Sequence, residues 1–181
     1  MLRDIGTDAQ RAAQIIRRLR VLFKKEHSER QPVDMSEVIK EVLGLLRKEL
    51  ERRRVELEIS LAPGTPRVLG DIVQLQQVVL NVLVNAGEAM TDDQAPRRLR
   101  IDMAAREAGV LVLTIEDSGR GVASSELEHI FDRFVTSKPE GLGMGLSISR
   151  SIIEAHGGRM WATRNPERGL TVHVEVPCLE V

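Results

Sequence analysis

Apolar residues recur along this chain on two different periods, and the switches between them mark out its elements. Ile5, Ala9, Ala12, Ile16, Leu19 and Phe23 follow alternating spacings of four and three, the 3.5-residue period of a coiled-coil or bundle seam. Such a seam calls for a helical partner; an amphipathic helix folded back on its own domain is the blander alternative. Ser28 to Val33 then turns polar and contains Pro32, which cannot donate to a helical ladder, so a hinge is expected over 28–33. Asp34 and Glu37 have capping-box spacing, and Val38, Ile39, Val42, Leu45, Leu46 and Leu50 carry an amphipathic helix to about Arg53. Val55, Leu57, Ile59 and Leu61 alternate as a strand does, and Pro63, Gly64 and Pro66 close it.

A second helix is predicted from about Asp71 to Met90. Leu99 to Ala104 and Val110 to Glu116 form a predicted antiparallel pair joined near Ala108-Gly109. Ser124 to Phe131 suggests a short helix, and Leu146 to His156 a longer one stopped by Gly157-Gly158. Arg159 to Thr163 and Leu170 to Val176 complete a hairpin. Helices interspersed with antiparallel strands predict a two-layer α/β sandwich whose sheet is covered on one face.

The 181 residues allow one domain of the usual size, about 150 residues, plus an extra element. The expected division is a helix over 1–27, a hinge over 28–33 and a nucleotide-sized domain over 34–181. Aromatics are only 2%, so Leu, Ile, Val and Met must fill the core. No apolar run approaches the ~18 residues of a membrane span, and the N-terminus lacks a signal-peptide pattern, so a cytoplasmic location without a membrane segment is expected. A lone Cys178 forms no internal disulfide, and no Cys/His spacing suits zinc; a metal would arrive with its ligand. Residues 1–30 hold eight Lys or Arg against four Asp or Glu, while acids dominate the remainder. That basic stretch has no aromatics interleaved for base stacking, which argues against nucleic acid as a partner.

Four short segments carry candidate chemistry. On the second predicted helix, Asn81, Asn85 and Glu88 lie at i, i+4 and i+7, hence on one face. Buried amides need partners: a neighbouring loop could satisfy them, or a carbonyl oxygen could meet Mg²⁺ that already carries phosphates. Asp117-Ser-Gly119-Arg-Gly121 follows an apolar strand; its carboxylate can accept the exocyclic N–H of adenine, and the two glycines let backbone approach a flat ring, although a solvated turn has the same pattern. Phe131 and Phe134 are two of only three phenylalanines and suit a latch for the loop that follows. That loop would be a lid, with Thr136, Ser137 and Lys138 near phosphates. Gly141-Leu142-Gly143-Met144-Gly145-Leu146 then enters a helix at about Ser147, where backbone N–H groups and the helix N-terminus form an anion cradle. No G-K-[ST] follows and no parallel strand precedes, which excludes Walker and Rossmann loops.

In this order, the four segments resemble the histidine-kinase branch of the GHKL ATPases, the Bergerat-fold family that includes DNA gyrase and MutL, over about residues 34–177. The resemblance implies a mixed, mainly antiparallel sheet covered by three helices and preceded by one long N-terminal helix from a dimerisation bundle. The asparagine helix corresponds to the N box, Asp117, Gly119 and Gly121 to the first glycine box, Phe131 and Phe134 to the F box, and Gly141, Gly143 and Gly145 to the second. It also implies that ATP and Mg²⁺ are the cofactors, that Asn85 coordinates the metal, that Asp117 recognises adenine, and that Thr171 lies beside that aspartate. Glu88 stands where several relatives place a basic phosphate contact. Where gyrase-like members carry a glutamate base this chain has Asn81, whose amide cannot take a proton from water, so slow hydrolysis is expected. The short lid from Val135 to Gly143 and the run from Gly145 to Gly158 are similar to FixL-type kinases.

The resemblance further implies a two-component phosphotransfer enzyme whose partners are a histidine-bearing dimerisation helix, a response-regulator receiver domain and a second copy joined through the N-terminal helix. Residues 1–26 resemble the second bundle helix only. None of His27, His129, His156 and His173 lies in an acceptor-like context, so the isolated chain is expected not to autophosphorylate efficiently. His156 and His173 are expected to be structural, and His129 to touch the lid. An anti-sigma-type serine kinase and a non-catalytic nucleotide-binding adaptor are the alternatives.

Overall fold

A computed structural model describes residues 29–90, 95–106, 109–135 and 143–179. The seam helix expected over 1–27 lies outside the described residues, as do Thr136, Ser137, Lys138, Gly141 and Leu142. The chain opens with a short strand, β1 (Gln31–Val33), followed by α1 (Met35–Arg52), β2 (Glu56–Leu61), β3 (Val68–Gly70) and α2 (Ile72–Ala89). The hairpin β4 (Arg98–Arg106) and β5 (Val110–Asp117) comes next, then a 3-10 turn at His129–Phe131, α3 (Gly145–Ala155), and the hairpin β6 (Arg159–Arg164) and β7 (Leu170–Pro177).

Five strands form one sheet in the order β2-β4-β5-β7-β6, with β2 parallel to β4 and every other pair antiparallel. The parallel pair needs a crossover, and α2 supplies it. Register places Ile101 opposite Ile115 and Ile115 opposite Val172, so one face presents rows of aliphatic side chains. Leu99, Met103, Leu111, Leu113, Val174, Val176 and Met160 extend those rows and are buried beneath the helices. The other face carries Arg100, Asp102, Glu116, His173 and Glu175, as alternation requires. The two-layer sandwich with a mixed sheet and three helices is therefore as expected.

Each helix is fixed by the residue that starts it and the stripe it buries. Asp34 caps α1 by accepting the Ser36 N–H at 2.8 Å; Glu37 completes no reciprocal box but pairs with Lys40. Asp71 caps α2, accepting from Val73 and Gln74, and Leu75, Val78, Val79, Val82 and Leu83 pack the middle of the core. The Nε2 of His156, at the end of α3, accepts the Asp71 N–H at 3.1 Å, while its Nδ1 meets the Ile152 carbonyl at 2.7 Å. This histidine thus ties the end of α3 to the start of α2, a structural role.

Three local expectations change. Gln31–Val33, within the stretch expected as a hinge, pairs as β1 with β3, and Val33 is buried in the core. The short helix expected from Ser124 to Phe131 is a series of turns ending in one 3-10 turn. Leu57 and Ile59 remain 40% and 46% exposed despite their alternation, on the edge strand β2.

Candidate functional site

The polar stripe on α2 runs between two backbone features. At the one end, Asn81 is buried and its Nδ2 donates to the Gly145 carbonyl and to Ser149 Oγ, both at 3.2 Å. Ser149 Oγ in turn donates to the Gly145 carbonyl at 2.9 Å. The amide of Asn81 is therefore spent on holding α3 against α2. One turn further on, Asn85 is half-buried, and a Cβ placed on Gly145 would lie 3.7 Å from its Nδ2. Asn85 consequently borders the N-terminus of α3, where Met144 is the capping residue and no side chain caps the turn among the described residues. The first-turn N–H groups of a helix have no intrahelical acceptor, so this end suits a phosphate. Leu146 packs against the core and fixes the direction of α3.

The next turn of α2 reaches the other feature. A Cβ on Gly119 would sit 2.7 Å from both Ala89 Cβ and Asp117 Oδ1, so only glycine admits the loop beneath the helix end. The Arg120 N–H donates to the Ala89 carbonyl at 3.2 Å, and Ser118 Oγ accepts from Arg98 N and donates to the Pro96 carbonyl. Asp117 is 5% exposed at the end of β5. Burial pushes its carboxyl up to about 6, against the opposing pull of the Gly119 and Leu170 N–H groups. A buried carboxylate kept near neutrality's edge, with part of its acceptor capacity outside those two bonds, can receive an amino group from a flat ring. Gly121 has φ +66 and approaches Gly169. Asn81, Asn85 and Ala89 thus form one line on α2, each step one helical turn of about 5.4 Å, from the start of α3 to the Asp117 loop. Glu88 is half-buried in the last turn of α2, beside Gly87, whose carbonyl accepts from Arg53.

Phe131 and Phe134 divide the roles expected of both. Phe131 is buried, with the Arg150 guanidinium 5.3 Å from its ring centroid, and anchors the segment. Phe134 is 73% exposed with φ +67, and its N–H donates to the Gly143 carbonyl at 3.0 Å. Gly143 itself has φ +62, and a Cβ there would come within 2.6 Å of Phe134 C. The two ends of the expected lid are therefore pinned together. His129 pairs with Asp132 at 2.8 Å.

Thr171 departs from the expected placement. It pairs with Glu116 in register, and Asp117 pairs with Leu170, so the Thr171 side chain emerges on the sheet face away from the Asp117 carboxylate. Its hydroxyl donates to Asn165 Oδ1 at 2.6 Å. Asn165, Arg168 and Ser149 were not singled out from the sequence. For the first two, the sole signal was a turn-forming run, Asn165-Pro-Glu-Arg-Gly169, with nothing to say what it touches.

Residues 70–180 match the family described as histidine kinase-, DNA gyrase B-, and HSP90-like ATPase. The chain belongs to this ATPase family. The domain is 41% identical over 172 residues to the sensor protein FixL of Bradyrhizobium diazoefficiens, covering 95% of this chain and 34% of that protein. Among solved structures, the mycobacterial sensor histidine kinase MprB superposes with a TM-score of 0.72 at 32% identity, covering 84% of this chain and 99% of that one. The histidine kinase ThkA, in a complex with the response regulator protein TrrA, gives 0.77 at 26% identity, covering 97% and 49%. The chain spans about a third of the FixL relative's length. Its family relatives are sensor histidine kinases, and no helix among the described residues is long and apolar enough to cross a membrane.

Mg²⁺ is the metal such a site implies. Among the described residues no three His, Cys, Asp or Glu side chains cluster to cage a cation. Asn85, a neutral amide beside the start of α3, would suit a cation that keeps most of its waters.

Proposed function

We propose that this domain binds Mg-ATP along α2 and transfers the γ-phosphoryl group to a histidine on a dimerisation helix. The observation that carries the reading is the single line of α2 positions joining the Asp117 loop to the start of α3. Asp117 accepts the adenine amine, and guanine, which presents a carbonyl at that position, is disfavoured. The N–H groups at the start of α3, with Gly141, Gly143 and Gly145, receive phosphate oxygens, and Asn85 holds the metal. When bound, Mg²⁺ neutralises charge on the phosphates. Lys138, Thr136 and Ser137 complete the phosphate contacts from the lid.

Asn81 offers no base: its amide is engaged with α3, and an amide does not take a proton from water at neutral pH. Water is therefore poorly activated, and the phosphoryl group is kept for an external nucleophile. Positioning and charge neutralisation dominate phosphoryl transfer, so the domain needs no nucleophile of its own. The acceptor helix, a receiver domain and a second copy joined through residues 1–27 are the proposed partners; the ThkA–TrrA complex supports the receiver.

Incubation with γ-labelled ATP tests this. The chain alone should remain essentially unlabelled, and adding a fragment that carries an acceptor helix should produce acid-labile label on that fragment's histidine. Stoichiometric label on the isolated chain, or acid-stable label on serine, contradicts the proposal.

A further inference from the structure

The turn between β6 and β7 makes more contacts with the Asp117 loop than a hairpin connection requires. Asn165 is at its centre. Its Nδ2 donates to the Asp117 carbonyl at 2.9 Å and lies 3.4 Å from the Arg168 carbonyl, while its backbone N–H closes the turn onto the Gly169 carbonyl at 3.3 Å. The amide has one possible orientation. Thr171 Oγ1 donates to Oδ1 at 2.6 Å, and the nitrogen faces carbonyl oxygens, which only an N–H can satisfy. Every polar atom of this side chain is thereby committed.

The reason for the arrangement lies in how β5 ends. Asp117 is the last β5 residue paired with β7, opposite Leu170, and the Leu170 N–H donates to the Asp117 carboxylate. The Asp117 carbonyl oxygen accepts from the Asn165 side chain. Gly169, at φ +98, lets the turn lie against that same oxygen: a Cβ there would stand 1.8 Å from it. A second strap runs alongside, from Arg168 Nε to the Gly119 carbonyl at 3.1 Å, and the Gly119 N–H is itself a donor to Asp117 Oδ1. The Asp117–Ser118 and Gly119–Arg120 peptide groups, which follow the carboxylate in the chain, are thus both gripped by the turn.

We propose that Asn165, oriented by Thr171, is a positioning residue for base recognition: it sets the backbone of Asp117 so that the carboxylate projects at the angle an adenine amine requires. The inference rests on the Mg-ATP reading above and deepens it. Asn165 acts through Asp117 and touches no nucleotide. Losing its bond lets the Asp117 peptide rotate, which weakens binding of adenine nucleotides and blurs the choice between adenine and other bases while leaving phosphate contacts intact.

The test compares Asn165→Ala, Thr171→Val and Thr171→Ser with the unaltered chain, measuring affinity for Mg-ATP and Mg-GTP by calorimetry across pH 5 to 8. Asn165→Ala should lower ATP affinity roughly 3- to 10-fold, the worth of one hydrogen bond, with a smaller change for GTP and a displaced pH midpoint for ATP. Thr171→Val should reproduce part of this loss, and Thr171→Ser, which keeps the hydroxyl, should restore it. Equal losses for ATP and GTP, no loss, or equal behaviour of the serine and valine variants overturns the inference. If Asn165→Ala does not fold, as circular dichroism would show, the Thr171 pair decides the matter. Failure of the unaltered chain to bind Mg-ATP is a different outcome, one that removes the nucleotide reading itself.

Discussion

The two ends of the α2 stripe are built by different means. At the Asp117 end, side chains and backbone from β4, β5, the end of α2 and the β6–β7 turn converge on the loop that carries one buried carboxylate, which itself receives the Gly119 and Leu170 N–H groups. At the α3 end the proposed phosphate surface is a helix terminus, and the side chains behind it, Asn81 and Ser149, bond to the first residues of that helix. A base is distinguished from other bases by one or two directional bonds, so the group that reads it must be fixed in angle. A triphosphate presents many equivalent oxygens, and an array of N–H groups with a metal can receive them without such constraint. Selectivity should therefore reside at the Asp117 end and charge control of the proposed reaction at the other.

The largest expected effect breaks the rigid end. Gly169→Ala places a Cβ into the Asp117 carbonyl oxygen at a φ of +98, so it should cost at least ~3 kcal/mol, a fall in melting temperature of roughly 6–12 °C. A melting curve unchanged by the substitution would show that the turn does not grip Asp117.

Next come two truncations that separate the ends. Asp117→Ala should weaken ATP roughly 10- to 100-fold, the ~1.5–3 kcal/mol of a hydrogen bond to a charged group, and weaken adenosine alike. Asn85→Ala should weaken Mg-ATP by about tenfold and leave adenosine unaffected. Calorimetry in which Asn85→Ala also reduces adenosine binding would erase the division between base and phosphate ends.

The remaining effect is spread over a pH range and reaches its full size only at the acid end. Asp117 has its carboxyl raised from 3.8 to about 6, so the folded apo chain binds a proton more tightly than the unfolded chain does. Its contribution to stability therefore rises as pH falls from about 6 towards 3.8, by up to ~3 kcal/mol. Adenine affinity moves the opposite way, because a protonated carboxyl accepts a hydrogen bond more weakly than a carboxylate. Denaturant titrations of the unaltered chain and Asp117→Asn should differ in pH slope within that window, and identical slopes would remove the burial argument.

Much of this was legible in the sequence because it is local. Cap residues Asp34 and Asp71 sit beside the helices they start, and the glycine run leads directly into α3. What was not legible depends on partners distant in sequence or on position within the sheet. Asn165 and Arg168 meet Asp117 and Gly119 from 48 and 49 residues away, through a turn whose composition speaks only of turning. Motif likeness placed Thr171 beside the aspartate, yet a register of one residue sends it to the opposite face, where it steadies Asn165. Leu57 and Ile59 alternate as core residues do, but alternation carries no notice that β2 is an edge. The amide of Asn81 illustrates the remaining ambiguity: a polar group on an apolar helix signals a partner without saying whether that partner is a ligand or a neighbouring helix.

The most direct measurement follows backbone amide resonances as adenosine and then Mg-ATP are added. Adenosine should shift Gly119, Arg120 and Leu170 alone, and Mg-ATP should add Leu146, Ser147 and the side-chain amide of Asn85. Mg-ATP shifts confined to other surfaces, or adenosine acting first at the start of α3, would contradict the placement of the nucleotide along α2.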